Sequence, residues 1–312
     1  MSTARTGRLG EVMPKARTGS AGVAPAPIGA VRLDRIGAMP EAPNNHLGHD
    51  GAACPDSYYV RLSEDRLVST LHSQGAWQPG EQHLAPASGM VLAEIERRLP
   101  SDKLISRVTF DVLGVIHSGE FTIDVDVVRP GRTIELVEAH MRHGERTSVT
   151  ARVWRLQASD TEAVAGDEWA AMPPVSDVPE IPFSNRWGGG YIASLEGRQG
   201  ADAHPGYAQS WVHSPYPLVD GEVDPPTAAF VKFVDTANGL AVREDPKTTF
   251  FPNVDLSIHL TRVPQSGWVG FDTKVAFGPT GLGQTTSVLS DVDGPIGTAV
   301  QSLTVRRGQG AV

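Results

Sequence analysis

From Tyr58 onward, apolar and polar residues alternate in short runs separated by glycine, proline and acidic turns. That period of two, broken every ten residues or so, predicts antiparallel strands more than helices. Tyr58–Leu62 and Arg66–Leu71 read as short strands, and a helix follows from about Pro86 to Leu99. Pro86 suits its first turn, while Met90, Val91, Leu92, Ala93, Ile95 and Leu99 supply apolar faces. Pro100-Ser101 ends it. Strand patterns then run over Ser106–Ile116, Phe121–Val128, Thr133–His143 and Arg146–Leu156, with turns at Pro130-Gly131 and Gly144-Glu145.

The same order returns in the second half. A strand over Tyr207–His213 precedes a helix from Pro225 to about Leu240, with Asp224 as its expected cap and Gly239 at its stop. Strands are expected at Phe250–Arg262, Gly267–Phe277, Gln284–Leu289 and Ile296–Arg306, with Asp293-Gly294 as the last turn. Periodicity therefore gives an α+β unit repeated twice. The expected organisation is a disordered tail over 1–55, a first unit over 56–157, a linker and crossing segment over 158–204, and a second unit over 205–307. The tail is rich in Ala, Gly, Pro and Arg without sustained periodicity. Its prolines argue against an amphipathic targeting helix.

Composition narrows the function classes. The 312 residues carry a formal net charge of −9. Within residues 1–37, six basic side chains face Glu11 and Asp34, a surplus of +4 that leaves −13 on the remainder. An acidic body of this kind argues against nucleic-acid binding, and any contact with a phosphorylated ligand must be local. No apolar run is long enough to span a bilayer. Cys54 is the single cysteine, so no internal disulfide can form, and a cytoplasmic location is the default expectation. The histidines lack metal spacing, with His140 and His143 placed on a strand and its turn, so neither a metal nor a bound cofactor is expected. No Gly-x-Ser-x-Gly elbow or Walker sequence occurs, and Gly281-Leu282-Gly283-Gln284 reads as a turn.

Two polar residues stand out against apolar surroundings. In the helix expected up to Leu240, Val231, Val234, Asp235 and Asn238 share one face beside Phe230, Phe233 and Ala237, leaving Lys232 and Thr236 for solvent. A carboxylate in such a stripe needs hydrogen bonds or a raised pKa, and a raised pKa suits a general base for water; satisfying nearby backbone amides is the competing role. Gln301 shares a strand face with Ala299, Leu303 and Val305, so its amide either faces a substrate carbonyl or bonds to neighbouring backbone. Asn253 lies on the polar side of an alternating strand and needs a twist or bulge to point inward. His83 and Gln82 precede the first helix, where His83 either meets a substrate or caps local structure.

Several stretches carry a family resemblance. They are Gly75-Ala76-Trp77-Gln78-Pro79 with Gln82-His83-Leu84-Ala85-Pro86, Gly131 to Ala139, Val254 to Arg262 with Gly267-Trp268, and Asp293 to Gln301. In their order and spacing they resemble the thioesterase-like superfamily, close to the acyl-CoA thioesterase II group, over roughly residues 57–306. The resemblance implies a tandem (double) hotdog fold, in which a curved antiparallel sheet wraps a long helix in each half. It also implies hydrolysis of a fatty or aromatic acyl-CoA. In the family an aspartate, a threonine and a glutamine hold the attacking water and the thioester. The aspartate matches Asp235 and the glutamine Gln301, while the threonine position falls at Asn253, a departure. A non-catalytic acyl-CoA or lipid-binding protein and an enoyl-CoA hydratase are the alternatives. The hydratase typically needs a paired Asp and His, and no histidine stands at helical spacing from Asp235. An open sheet edge would favour a homo-oligomer without the sequence deciding it.

Overall fold

Backbone pairing in the computed structural model, which describes residues 43–308, follows the alternation closely. The first half contains β1 (Tyr59–Arg61), β2 (Leu67–Ser69), α1 (Leu84–Arg98), β3 (Lys103–Val112), β4 (Glu120–Arg129), β5 (Ile134–His143) and β6 (Arg146–Gln157). A crossing stretch with short 3-10 turns leads to α2 (Gly190–Ala193) and β7 (Glu196–Gln199). The second half holds β8 (Tyr207–His213), α3 (Pro226–Val231), α4 (Ala237–Leu240), β9 (Thr249–Phe250) and β10 (Asp255–Leu260). It closes with β11 (Val269–Phe277), β12 (Leu282–Asp291), β13 (Gly294–Thr304) and β14 (Arg306–Arg307).

Twelve strands form one sheet in the order β1-β2-β4-β5-β6-β3-β10-β13-β12-β11-β8-β7, every neighbouring pair antiparallel. The order mirrors itself about the β3–β10 seam, where Phe110 pairs with Leu256 and Val108 with Ile258. This is the double hotdog: two curved sheets fused edge to edge, with α1 and α3 packed together against them. Period-two burial explains the arrangement. In β6, Val149, Ala151 and Val153 face inward while Arg152 is exposed, and in β13 Ala299, Gln301 and Leu303 face inward. Met90, Val91, Leu92 and Ile95 of α1 fill the first half; Phe230, Phe233 and Val234 fill the second. Buried Arg155 closes α1 by donating to the Leu99 and Ile95 carbonyls.

Close approach of the helices depends on Gly89. A Cβ there would stand 2.6 Å from the Lys232 Cβ and 3.0 Å from the Ala228 carbonyl oxygen. A second tight passage occurs where the crossing stretch meets the first half. Gly189, at φ +95°, has no room for a side chain, because a Cβ would lie 2.3 Å from the Gly75 carbonyl oxygen. Tyr191, just after the glycines, is fully buried, while Trp187, just before them, is half-buried against Trp77.

Four expectations need correction. The helix expected from Pro225 to Leu240 is broken: α3 ends at Val231, a 3-10 turn covers Val234–Thr236, and α4 is one turn long. The break is tolerated because other side chains serve its loose carbonyls. Ser88 Oγ donates to Val231 O and Tyr191 Oη to Lys232 O. Asp224 does not cap this helix; it accepts from the Leu218 amide and Lys232 Nζ. Lys232 and Thr236 do not face solvent, since both are buried, Lys232 on Asp224 and the Tyr216 carbonyl and Thr236 on Tyr191 Oη. Finally, most of the expected tail lies outside the described residues, but Asn45, His46 and Leu47 are held by Ser118, Glu81 and Ser69, so an ordered chain begins before residue 56.

Candidate active site

Asp235 sits in the 3-10 turn between α3 and α4, where the break in the helix turns its carboxylate away from the apolar stripe and toward the last strands. Its Oδ1 accepts two amide hydrogen bonds, from Asn253 Nδ2 at 2.7 Å and from Gln301 Nε2 at 2.8 Å. The three candidate residues of the sequence thus meet at one oxygen atom. Gln301 reaches it from the inward face of β13, as strand parity required. Asn253 reaches it because it precedes β10: it forms an isolated bridge to Leu303, before the pleat begins at Asp255. Strand parity therefore does not apply to it, and its Nδ2 is further fixed on the Asp255 carbonyl at 3.0 Å.

With Oδ1 taken up by two donors, Oδ2 is the oxygen left for a proton. It faces His83 Nδ1 at 3.5 Å. His83 is the N-cap of α1, with Nδ1 accepting from the Ala85 amide at 3.1 Å. An imidazole that accepts at Nδ1 carries its proton on Nε2, so as a neutral ring it cannot donate to Oδ2. Burial holds the two groups in that state. It pushes the Asp235 carboxyl up from 3.8 to about 7, even though the two amide donors pull the other way. The same burial lowers His83 from 6.5 to about 4. Around neutrality the pair is a neutral imidazole beside a carboxyl that gains and loses its proton readily.

Space for a reactant exists on both sides. A small cavity of about 50 Å³ is bounded by Trp77, Trp187, Phe183, His83, Asp235 and Asn253. That is room for a few water molecules and no more. Trp77 and Trp187 meet edge to face at 5.4 Å above it, and Trp187 is anchored by its Nε1 donating to the Gly239 carbonyl. A wider cleft of about 380 Å³ reaches Asp235, Asn253 and His83 from the α1 side, past Leu84, Val115 and Val254. Because α1 starts at Leu84, the positive end of a 15-residue helix opens onto this cleft. Among the described residues no cluster of His, Cys, Asp or Glu could hold a metal, and no helix is long and apolar enough to cross a membrane.

The sequence leaves His83 open as a substrate contact or a local cap. It is a cap, and it is also the nearest titratable group to the free oxygen of Asp235. The two come from different halves of the chain, so no local spacing could have joined them. Gln82 serves the fold, donating to the His117 carbonyl at 2.8 Å.

Comparison with known proteins follows the same division into halves. The acyl-CoA thioesterase N-terminal domain model matches residues 73–156, and the acyl-CoA thioesterase C-terminal domain model matches residues 166–305. Similar solved structures include a conserved protein of unknown function with hot dog fold from Alicyclobacillus acidocaldarius (12% identity, TM-score 0.63, covering 80% of this chain and 97% of that one). An acyl-CoA thioesterase II from Mycobacterium marinum shares 13% identity with TM-score 0.59, over 81% of this chain and 96% of its own. The tesB protein of Mycobacterium avium subs paratuberculosis shares 17% identity with TM-score 0.58, over 80% and 95%. At these identities the likeness is one of fold. No curated protein matches the chain in sequence.

Proposed function

Because the chain belongs to the acyl-CoA thioesterase family, we propose that it hydrolyses a fatty or aromatic acyl-CoA to the free acid and coenzyme A, with Asp235 as general base. The observation that carries this reading is the division of labour within one carboxylate. Oδ1 is fixed by Asn253 and Gln301, while Oδ2 remains available to a water molecule. A base with a pKa of about 7 is half ionised at neutrality, near the optimum for proton transfer at that pH.

In the proposed reaction, water in the cavity beside Asp235 loses a proton to Oδ2 as its oxygen bonds to the thioester carbon. The tetrahedral oxyanion forms with its charge toward the N-terminal end of α1. As the carbon–sulfur bond breaks, the proton held on Oδ2 passes to the departing thiolate. Thiol and carboxylic acid leave, and the carboxylate is regenerated. Asn253, at the family's threonine position, acts in this reading through Oδ1, holding the carboxylate that activates the water.

One observation favours a second reading. His83 supplies, from the other half, the histidine that an enoyl-CoA hydratase would need beside its aspartate. Against it, Nδ1 is committed to the Ala85 amide and has no proton to give. A single assay separates the readings. Purified full-length chain is given a panel of saturated, aromatic and 2-enoyl-CoAs while free thiol and enoyl absorbance are followed together. Thiol release from saturated or aromatic substrates supports the thioesterase. Loss of enoyl absorbance without thiol would establish a hydratase, and acyl-CoA binding with neither change would leave a binding protein.

A further inference from the structure

Beyond the small cavity the chain opens into a cleft of about 540 Å³ on the side away from α1. The two share Phe183, Trp187 and Gly239, so the outer cleft lies directly against the cavity beside Asp235, with the Trp187 indole, bonded to the Gly239 carbonyl, between them. The outer cleft contrasts with the rest of the molecule. Three cations line it, Arg186, Arg243 and Lys247, in a chain whose formal net charge is −9. Among the described residues none of the three is within ion-pair distance of a carboxylate. Two carboxylates, Glu244 and Asp245, share the rim. Asp245 is occupied in its own turn, accepting the Lys247 amide on Oδ1 and the Thr248 amide on its carbonyl. Three cations against two carboxylates leave the rim one positive charge in surplus.

The cleft on the α1 side carries fewer charges. Leu84, Val112, Val115, Ile116, Pro252 and Val254 form an apolar stretch of its wall, with Glu81 and Arg306 also lining it. Asp235 and Asn253 border both the small cavity and this cleft, so the reacting centre stands between a cationic approach and one with an apolar stretch of wall. An acyl-CoA has the same asymmetry about its thioester carbon: a polyanionic nucleotide on one side, a hydrocarbon on the other.

We propose that Arg186, Arg243 and Lys247 form the phosphate-binding site for the nucleotide of coenzyme A, with the pantetheine arm displacing the Trp187 indole from the Gly239 carbonyl to place the thioester at Asp235. The acyl chain then leaves along Leu84 and Val115. This assignment rests on the thioesterase reading for the identity of the ligand. A local cationic cleft also supplies what an acidic protein otherwise lacks, an attraction for a polyanion at the place where it must bind.

Calorimetric titration of the full chain with coenzyme A, 3′-dephospho-coenzyme A and pantetheine tests it. The proteins are wild type, the triple variant Arg186→Glu/Arg243→Glu/Lys247→Glu and the single variant Glu244→Gln. The triple variant should weaken coenzyme A by about tenfold or more and leave pantetheine unchanged. Glu244→Gln, which removes an opposing charge, should tighten coenzyme A by roughly twofold or more. Dephospho-coenzyme A should bind more weakly than coenzyme A to wild type and lose less in the triple variant. Equal affinity of wild type and a folded triple variant for coenzyme A overturns the site, as does a wild type that does not bind it. The hydrolase reading fails separately: if coenzyme A binds through these cations yet no acyl-CoA releases thiol, the nucleotide site stands and the catalytic proposal does not. If thiol is released but the KM for acyl-CoA in the triple variant moves no more than that for an acyl-N-acetylcysteamine, the reverse holds.

Discussion

The hydrogen bond from Asn253 to Asp235 gives the account a quantity to be measured. Burial raises the Asp235 carboxyl to about 7, and the donors on Oδ1 are what keep it from rising further. Replacing Asn253 by alanine removes a donor that stands 2.7 Å from Oδ1. A hydrogen bond to a charged group contributes roughly 1.5–3 kcal/mol. At about 1.4 kcal/mol per pKa unit, losing it should raise the carboxyl by roughly one to two units. The sign is fixed, because the donor favours the ionised form that the base requires. The acid limb of kcat/KM for acyl-CoA hydrolysis should therefore lie near 7 in wild type and move upward in Asn253→Ala, with the rate partly recovered at high pH. Stopped-flow thiol detection between pH 5 and 10 reads it directly. A limb that stays in place or moves down, with activity reduced equally at every pH, would refute the claim that Asn253 acts by stabilising the ionised base.

The same burial has consequences for stability and for the fold. Asp235 has a folded pKa of about 7 against 3.8 for the unfolded chain, so the folded state binds the extra proton and its stability falls as pH rises between those values. The loss amounts to roughly 4 kcal/mol above neutrality, so urea denaturation should find Asp235→Asn more stable than wild type at pH 8 and little different at pH 4. His83 has the opposite sign: lowered to about 4, it makes stability rise with pH up to about 6.5, so a His83→Asn variant should show a steeper fall than wild type between those limits in the same melts. Gly189→Ala introduces a Cβ 2.3 Å from the Gly75 oxygen at positive φ, and thermal denaturation should register a loss of more than about 2 kcal/mol. Tyr191→Phe leaves the buried Lys232 carbonyl without its donor; a loss of about 1–3 kcal/mol in the same measurement is expected.

Most of the strand framework was legible because alternation is a local signal. Tyr207–His213 agrees with β8 to the residue, and Thr133–His143 and Arg146–Leu156 agree with β5 and β6 within one residue at each end. The inward face of Gln301 followed from the same parity. What escaped was settled by contacts remote in sequence. The helix before Leu240 has the composition of a continuous helix, and only Ser88 and Tyr191, supplied from elsewhere, make its break stable. Lys232 resembles a solvent residue until Asp224 and the Tyr216 carbonyl are brought around its ammonium group. Strand parity does not reach Asn253, which stands just ahead of the pleat. His83 needed the α1 start and the broken helix to be placed together before its proximity to Asp235 could be seen.

The central claim is that one oxygen of Asp235 takes the proton from an attacking water. It is tested most directly by single-turnover hydrolysis of a preferred acyl-CoA at pH 8 with enzyme in excess, comparing wild type with Asp235→Asn. The substitution keeps size and burial but removes the base, and the rate constant should fall by about 10² to 10⁴ while the Kd for acyl-CoA changes little. A variant that turns over at the wild-type rate would place the chemistry on another group.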